Sequence, residues 1–223
     1  MAFGDSITEG FVGADFLGNP RVDGVLDQNV RYPDFLQRRL DAADRKLVVT
    51  NAGIGGDRLT RDAIPIMPRF GPSGLSRLHA DVIAQSGVSD VIVLIGINDL
   101  GTPIGVGYEE MIAAYTTMIA LFHRAGLAVH LGTVLPASNA LLQGYLSIPP
   151  ADPVRVRINA WIRAQRLADS VIDFDAALRD PGNPSVLNKR YAGADNLHPN
   201  PEGYRVMAEV IDIDRFAGSE CQP

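Results

Sequence analysis

The chain has 223 residues, 46% of them hydrophobic and 21% charged, the balance of an ordinary soluble globular protein long enough to bury a core without disulfide staples. Its formal net charge is −6, and lysine occurs only at Lys46 and Lys189, so it lacks the basic footprint that a nucleic acid or an anionic membrane surface calls for. The longest apolar runs, such as Val91–Ile95, are far too short to span a bilayer, and the single cysteine, Cys221, excludes an intrachain disulfide and a cysteine-based zinc site.

In chain order, no basic or apolar leader precedes Gly4-Asp5-Ser6, and Met1-Ala2-Phe3 is short for the strand that should lead into it. That predicts either a strand reduced to a stub or a trimmed chain whose lost leader leaves no trace, and cysteine usage fits a secreted and a cytoplasmic protein alike. Pro33 with Asp34 opens a helix to about Leu40. Strands are expected at Leu47–Thr50, Asp90–Ile95, Leu127–Val134 and Ser170–Ile172, runs rich in Val, Ile and Leu that mostly lack alternation, as in strands covered on both faces. Between them, Tyr108, Met111, Ile112, Tyr115, Met118, Ile119 and Phe122 form one helical stripe, and Val154, Ile158, Trp161 and Ile162 a second. Asn200 and Pro201 read as the cap and first turn of a last helix carrying Tyr204, Met207, Val210 and Ile211. Gly10–Gly24 and Pro136–Pro153 read as long loops. Alternating strands and helices predict an α/β protein with a parallel sheet sandwiched by helices, and no repeat or linker divides residues 1–223 into more than one domain.

Such sheets bind ligands at the carboxyl ends of their strands. The polar residues expected there are Gly4-Asp5-Ser6, Asn51–Asp57, Gly96-Ile97-Asn98-Asp99 and, ahead of the last helix, Asp195-Asn196-Leu197-His198-Pro199. These are the residue types of acyl transfer. A serine hydroxyl becomes a nucleophile when a base takes its proton, histidine suits that task, and a carboxylate fixes the imidazole's tautomer. Asp195 and His198, three residues apart on a turn, can meet locally. Asn51–Asp57 offers backbone N–H donors for an oxyanion and Asn98 a neutral side-chain amide. Each block alone has a plainer interpretation: Ser6 as a cap, Asn98-Asp99 as a turn pair, the glycines as tight-turn residues. Asp173 and Asp175 also follow a strand and rival Asp195 as the partner of the histidine. His79, His123 and His130 have no motif around them, and no H-E-x-x-H pattern suggests zinc.

Taken in order, the four blocks resemble those of the SGNH hydrolases, also called GDSL esterases and lipases, over nearly the whole chain, with Ile7 where the name-giving motif has Leu. The resemblance implies a three-layer α/β/α sandwich with a flavodoxin-like parallel sheet and no nucleophile elbow; no G-x-S-x-G occurs in the sequence. It further implies metal-independent hydrolysis of esters or thioesters through an acyl-enzyme on Ser6, with Asp195 and His198 completing the catalytic set. The oxyanion donors it implies are the Ser6 and Gly56 N–H groups and the Asn98 side chain. No metal or organic cofactor is implied. Arg31-Tyr32-Pro33-Asp34, Asn51–Asp57 and Gly71-Pro72-Ser73-Gly74-Leu75 look most like bacterial xylan-deacetylating esterases. The expected partner is therefore a small-molecule or polysaccharide ester, with an acetyl group on a carbohydrate first. Lysophospholipids, aryl esters and acyl thioesters are the alternatives, and loops Gly10–Gly24, Thr102–Gly107 and Pro136–Pro153 are the expected pocket walls. Two other classes compete. A nucleotide-binding α/β protein would need a G-x-G-x-x-G spacing that Gly53-Ile54-Gly55-Gly56 breaks. A non-catalytic carbohydrate-binding module would be expected to have lost Ser6, Asn98 or His198.

Overall fold

The computed structural model describes residues 1–12, 28–63, 68–100, 105–142, 146–147 and 151–218. β1 (Ala2–Gly4) runs directly into one helical turn, α1 (Ser6–Glu9), because the Asp5 carboxyl caps it by accepting the Ile7 N–H at 3.0 Å. α2 (Tyr32–Ala42) starts from a capping box in which Asp34 bonds back to the Arg31 N–H, with Pro33 in the first turn. β2 (Asn51–Gly53) follows, then α3 (Gly74–Leu78), capped by Ser73 and continuing into a π-helical turn at His79–Ile83. Next come β3 (Asp90–Leu94), α4 (Ile97–Leu100), α5 (Tyr108–Arg124) and β4 (Ala128–Gly132). A short antiparallel pair, β5 (Leu141–Leu142) and β6 (Leu146–Ser147), precedes α6 (Ala151–Ala164). β7 (Ser170–Ile172), α7 (Phe174–Leu178) and α8 (Pro201–Glu209) complete the order, α8 being capped by the Asn200 side chain on the Gly203 N–H at 2.9 Å.

The main sheet is ordered β2-β1-β3-β4-β7, with every pairing parallel. This is the flavodoxin-like order, whose direction reverses between β1 and β3. All five residues of β3 are buried, which requires helices on both faces. On one face Phe3 meets Phe122 of α5 edge-on, ring centroids 6.1 Å apart, and α5 packs on α6 and α3. Another helix group, α2, α8 and α7, packs together, and there Tyr32 meets Phe174 at 5.8 Å. The protein is thus a three-layer α/β/α sandwich. Phe3 is fully buried, and truncating it to alanine would cost about 3–5 kcal/mol.

Both helical stripes of the sequence are buried where expected: Met111, Tyr115, Met118 and Phe122 on α5, Ile158 and Ile162 on α6. Two expectations need correction. The ladder of β2 begins at Asn51 rather than running over Leu47–Thr50, because its partner β1 begins at Ala2, opposite Asn51. Of residues 47–50 only Thr50 reaches the sheet, its carbonyl accepting the Ala2 N–H of β1 at 2.8 Å, and Val48 is 81% exposed. The stretch Pro136–Pro153 is not one long loop, since it holds β5, β6 and the first turn of α6. Residues 13–24 of the first expected loop, 102–104 of the second, and Cys221 lie outside the described residues. No described helix is long and apolar enough to cross a membrane.

Candidate active site

The fold carries Ser6 and His198, 192 residues apart, to hydrogen-bonding distance: Ser6 Oγ lies 2.8 Å from His198 Nε2. The serine reaches that position because β1 passes without a loop into α1, and β2 lets α1 settle close. A Cβ added to Gly53 would stand 2.2 Å from the Glu9 backbone nitrogen, so only glycine fits there. The histidine is held by a compact turn ahead of α8. Gly193 N–H bonds the His198 carbonyl at 2.7 Å, and Asn196 takes the left-handed conformation at φ +55°. The Tyr204 hydroxyl of α8 donates to the Phe11 carbonyl, and the Phe11 ring meets the His198 ring edge-on with centroids 4.7 Å apart.

Asp195 Oδ2 lies 2.7 Å from His198 Nδ1, and its Oδ1 accepts the N–H groups of Leu197 and His198, both at 3.0 Å. Burial alone would push this carboxyl up. The hydrogen bond and charge of the His198 ring, with the two backbone donors, outweigh burial and hold it below the usual carboxylate range. An ionised carboxylate only accepts, so Nδ1 carries the ring proton and Nε2 presents its lone pair to Ser6. Asp173 and Asp175 bind arginines instead of the histidine, whose Nδ1 partner is Asp195. Arg163 binds both, and Arg155 binds Asp175 at 2.7 Å. Of the other described histidines, His123 pairs with Asp169 at 2.8 Å, His130 lies between Asp90 and Ser170 in the sheet, and His79 is exposed on the π-helical turn after α3.

The three expected oxyanion groups follow the carboxyl ends of the adjacent strands β1, β2 and β3. Ser6 is the first residue of α1, so its N–H has no partner within the helix. The turn Ile54–Asp57 is closed by the Asp57 N–H on the Ile54 carbonyl at 3.1 Å and places Gly56 at φ +77°. A Cβ there would fall 2.3 Å from the Phe70 ring, and a Cβ on Gly55 would lie 4.0 Å from Ser6 Cβ. Asn98 donates one amide N–H to the Asp57 carbonyl at 2.9 Å, leaving a second N–H on the same nitrogen. Asp99 steadies this loop, accepting from Leu59 N–H at 2.7 Å and from the Thr60 N–H and hydroxyl at 3.0 and 2.7 Å.

Beneath the turn lies a buried charged cluster that motif inspection passes over. Arg77 binds Asp57 Oδ2 through Nε at 2.7 Å, and Asp57 Oδ1 has no partner among the described residues. Burial pushes the Asp57 carboxyl up to about 6, against the charge and hydrogen bond of Arg77. Burial pushes Asp5 up to about 7; the Ile7 N–H opposes that, and the charges of Asp57 and Asp99 add to it. Asp99 is raised by burial as well, against its bonds to Thr60 and Leu59.

A flavodoxin-like sheet with serine, histidine and aspartate in file at its carboxyl edge, and no nucleophile elbow, defines the SGNH class of hydrolases. The model of the GDSL-like lipase/acylhydrolase family matches residues 2–206, and the chain belongs to that family. It is a carboxylic ester hydrolase. Among solved structures, it is similar to the carbohydrate acetylesterase Est24 from Sinorhizobium meliloti, with 15% identity, 93% of each chain covered and a TM-score of 0.72. It is also similar to the native M. smegmatis aryl esterase, with 17% identity, 93% of each chain and a TM-score of 0.67. The acetyl xylan esterase AlAXEase shares 19% identity over 94% of this chain and 95% of its own, with a TM-score of 0.61. At these identities the likeness is one of fold. No curated protein matches the sequence.

Proposed function

We propose that the chain acts as one serine esterase domain that removes short acyl groups, acetyl first, from a carbohydrate or small alcohol. The observation that carries this is the unbroken file Ser6 Oγ, His198, Asp195, with contacts of 2.8 and 2.7 Å. Ser6 Oγ attacks the acyl carbonyl carbon while His198 Nε2 takes its proton, and Asp195 stabilises the imidazolium that forms. The Ser6 and Gly56 N–H groups and the second N–H of Asn98 hold the negative oxygen of the tetrahedral intermediate. His198 then hands its proton to the departing alcohol oxygen as the ester C–O bond breaks, leaving the acyl group on Ser6. Water adds to that acyl-enzyme, giving its proton to His198, and the proton returns to Ser6 Oγ as the acid leaves.

Support for an acetylated carbohydrate comes from the sequence stretches around Arg31–Asp34 and Gly71–Leu75, and from structural neighbours described as carbohydrate and xylan acetylesterases. The net charge of −6 disfavours strongly anionic substrates. A panel of p-nitrophenyl esters of rising acyl length, with acetylated xylan, tests the proposal on wild type and Ser6→Ala. Acetate release by the wild type, falling with acyl length and abolished in a folded Ser6→Ala variant, is the expected result. Full activity in Ser6→Ala overturns the mechanism, and a preference for long acyl chains overturns the substrate class.

A further inference from the structure

One buried cation has no part in the reaction steps above. Arg77, on α3, has only 3% of its side chain exposed, and arginine is almost never buried unless its donors are matched. Here they are matched across the site. Nη2 donates to the Gly4 carbonyl at 2.8 Å, at the end of β1 and two residues before Ser6. Nη1 donates to the Ala52 carbonyl of β2 and to Asp81, each at 2.8 Å. Nε donates to Asp57 at 2.7 Å, directly after Gly56. The guanidinium plane lies over the Phe3 ring, 4.1 Å from its centroid. Asp57 in turn holds the Asn98 amide through its backbone carbonyl at 2.9 Å. A single planar group thus touches the segments that supply the Ser6 and Gly56 donors, and reaches the Asn98 donor through one residue.

We propose that Arg77 is the positioning residue for the Asn98 donor of the oxyanion hole, fixing Asp57 and through its backbone carbonyl the Asn98 amide. Stability alone does not account for it. A buried ion pair contributes little compared with apolar packing of the same volume, whereas a rigid fork meeting acceptors on β1, β2 and the glycine turn sets geometry. Lysine, a point charge on a flexible stem, cannot reproduce that fork. Oxyanion donors act only when aimed at the developing charge, and a misplacement of about 1 Å costs ~10²-fold in rate.

The inference rests on the proposed role of Asn98, so the test is a double-mutant cycle on p-nitrophenyl acetate at pH 8. It compares wild type, Arg77→Lys, Asn98→Ala and the double variant, with kcat and KM measured separately. Arg77→Lys should lower kcat about tenfold or more with KM within about twofold. In the Asn98→Ala background the same substitution should lower kcat less than about threefold, because the group it positions is gone. Equal losses in both backgrounds, or an unchanged kcat in Arg77→Lys, overturn the proposal. Full activity in Asn98→Ala instead removes the oxyanion role assigned to Asn98 and the proposal with it. If Arg77→Lys does not fold, Asp57→Asn, which keeps the shape and removes the charge, runs the same cycle under the same criteria.

Discussion

Replacing Asp195 with asparagine changes one atom, and the hydrogen bonds around that atom decide the consequence. If the amide nitrogen takes the place of Oδ1, it faces the N–H groups of Leu197 and His198, which now bond to Oδ1 at 3.0 Å. Two buried donors would then lose their acceptor, at about 1–3 kcal/mol each. If it takes the place of Oδ2, it meets only His198 Nδ1, 2.7 Å away, and the conflict disappears once the ring proton moves to Nε2. The second orientation therefore wins. The imidazole then presents N–H, not a lone pair, to Ser6 Oγ, and can no longer accept the serine proton. The variant should fold with an almost unchanged melting temperature. Its kcat on p-nitrophenyl acetate should fall by ~10⁴, equivalent to ~5.4 kcal/mol of transition-state stabilisation, as the same tautomer reversal costs in serine proteases. A folded Asp195→Asn enzyme within tenfold of wild-type kcat would show that Asp195 does not set the tautomer of His198.

Three further outcomes are expected from neighbouring contacts. Asn98→Ala should lower kcat by ~10²–10³ with little change in KM, measured on the same ester, since the lost donor acts on the developing oxyanion. Gly56→Ala should lose most activity and lower the melting temperature by several degrees in a thermal scan, because it forces a side chain into φ +77° and against Phe70, a strain of about 1–3 kcal/mol. Burial raises the Asp5 pKa to about 7 in the folded protein, from an ordinary value of 3.8, so its contribution to stability is complete below about pH 4 and is lost as pH rises to about 7. Asp5→Asn keeps the acceptor for the Ile7 N–H, and the wild-type melting temperature should fall relative to this variant across that window. Parallel profiles from pH 4 to 8 would contradict a buried, proton-holding Asp5.

The residues of the candidate site were legible because each of its blocks is local. A glycine-rich turn after a strand, or an aspartate three residues before a histidine, is a short-range pattern that survives without knowledge of the fold. The same holds for the caps at Asn200 and Asp34, whose bonds span three residues. What the sequence leaves open depends on distant partners. Strand β2 begins where β1 gives it a neighbour, not where its apolar run begins, so Leu47–Thr50 reads as a strand without being one. Asp173 and Asp175 have the right composition and position to orient a histidine, and only the arginines of α6 show that they are already engaged. Arg77 leaves no trace in any motif, because its acceptors at Asp57, Ala52 and Gly4 lie 20, 25 and 73 residues away and two of them are backbone carbonyls.

The most direct probe of the proposed chemistry is covalent capture of the nucleophile. A fluorophosphonate, which phosphonylates an activated serine and loses fluoride, should add once per chain, with peptide mass mapping placing the adduct on Ser6 and with labelling suppressed in folded His198→Ala. An adduct on a different serine, or a folded wild-type protein that stays unlabelled while it hydrolyses esters, would contradict the assignment of Ser6 as the attacking group.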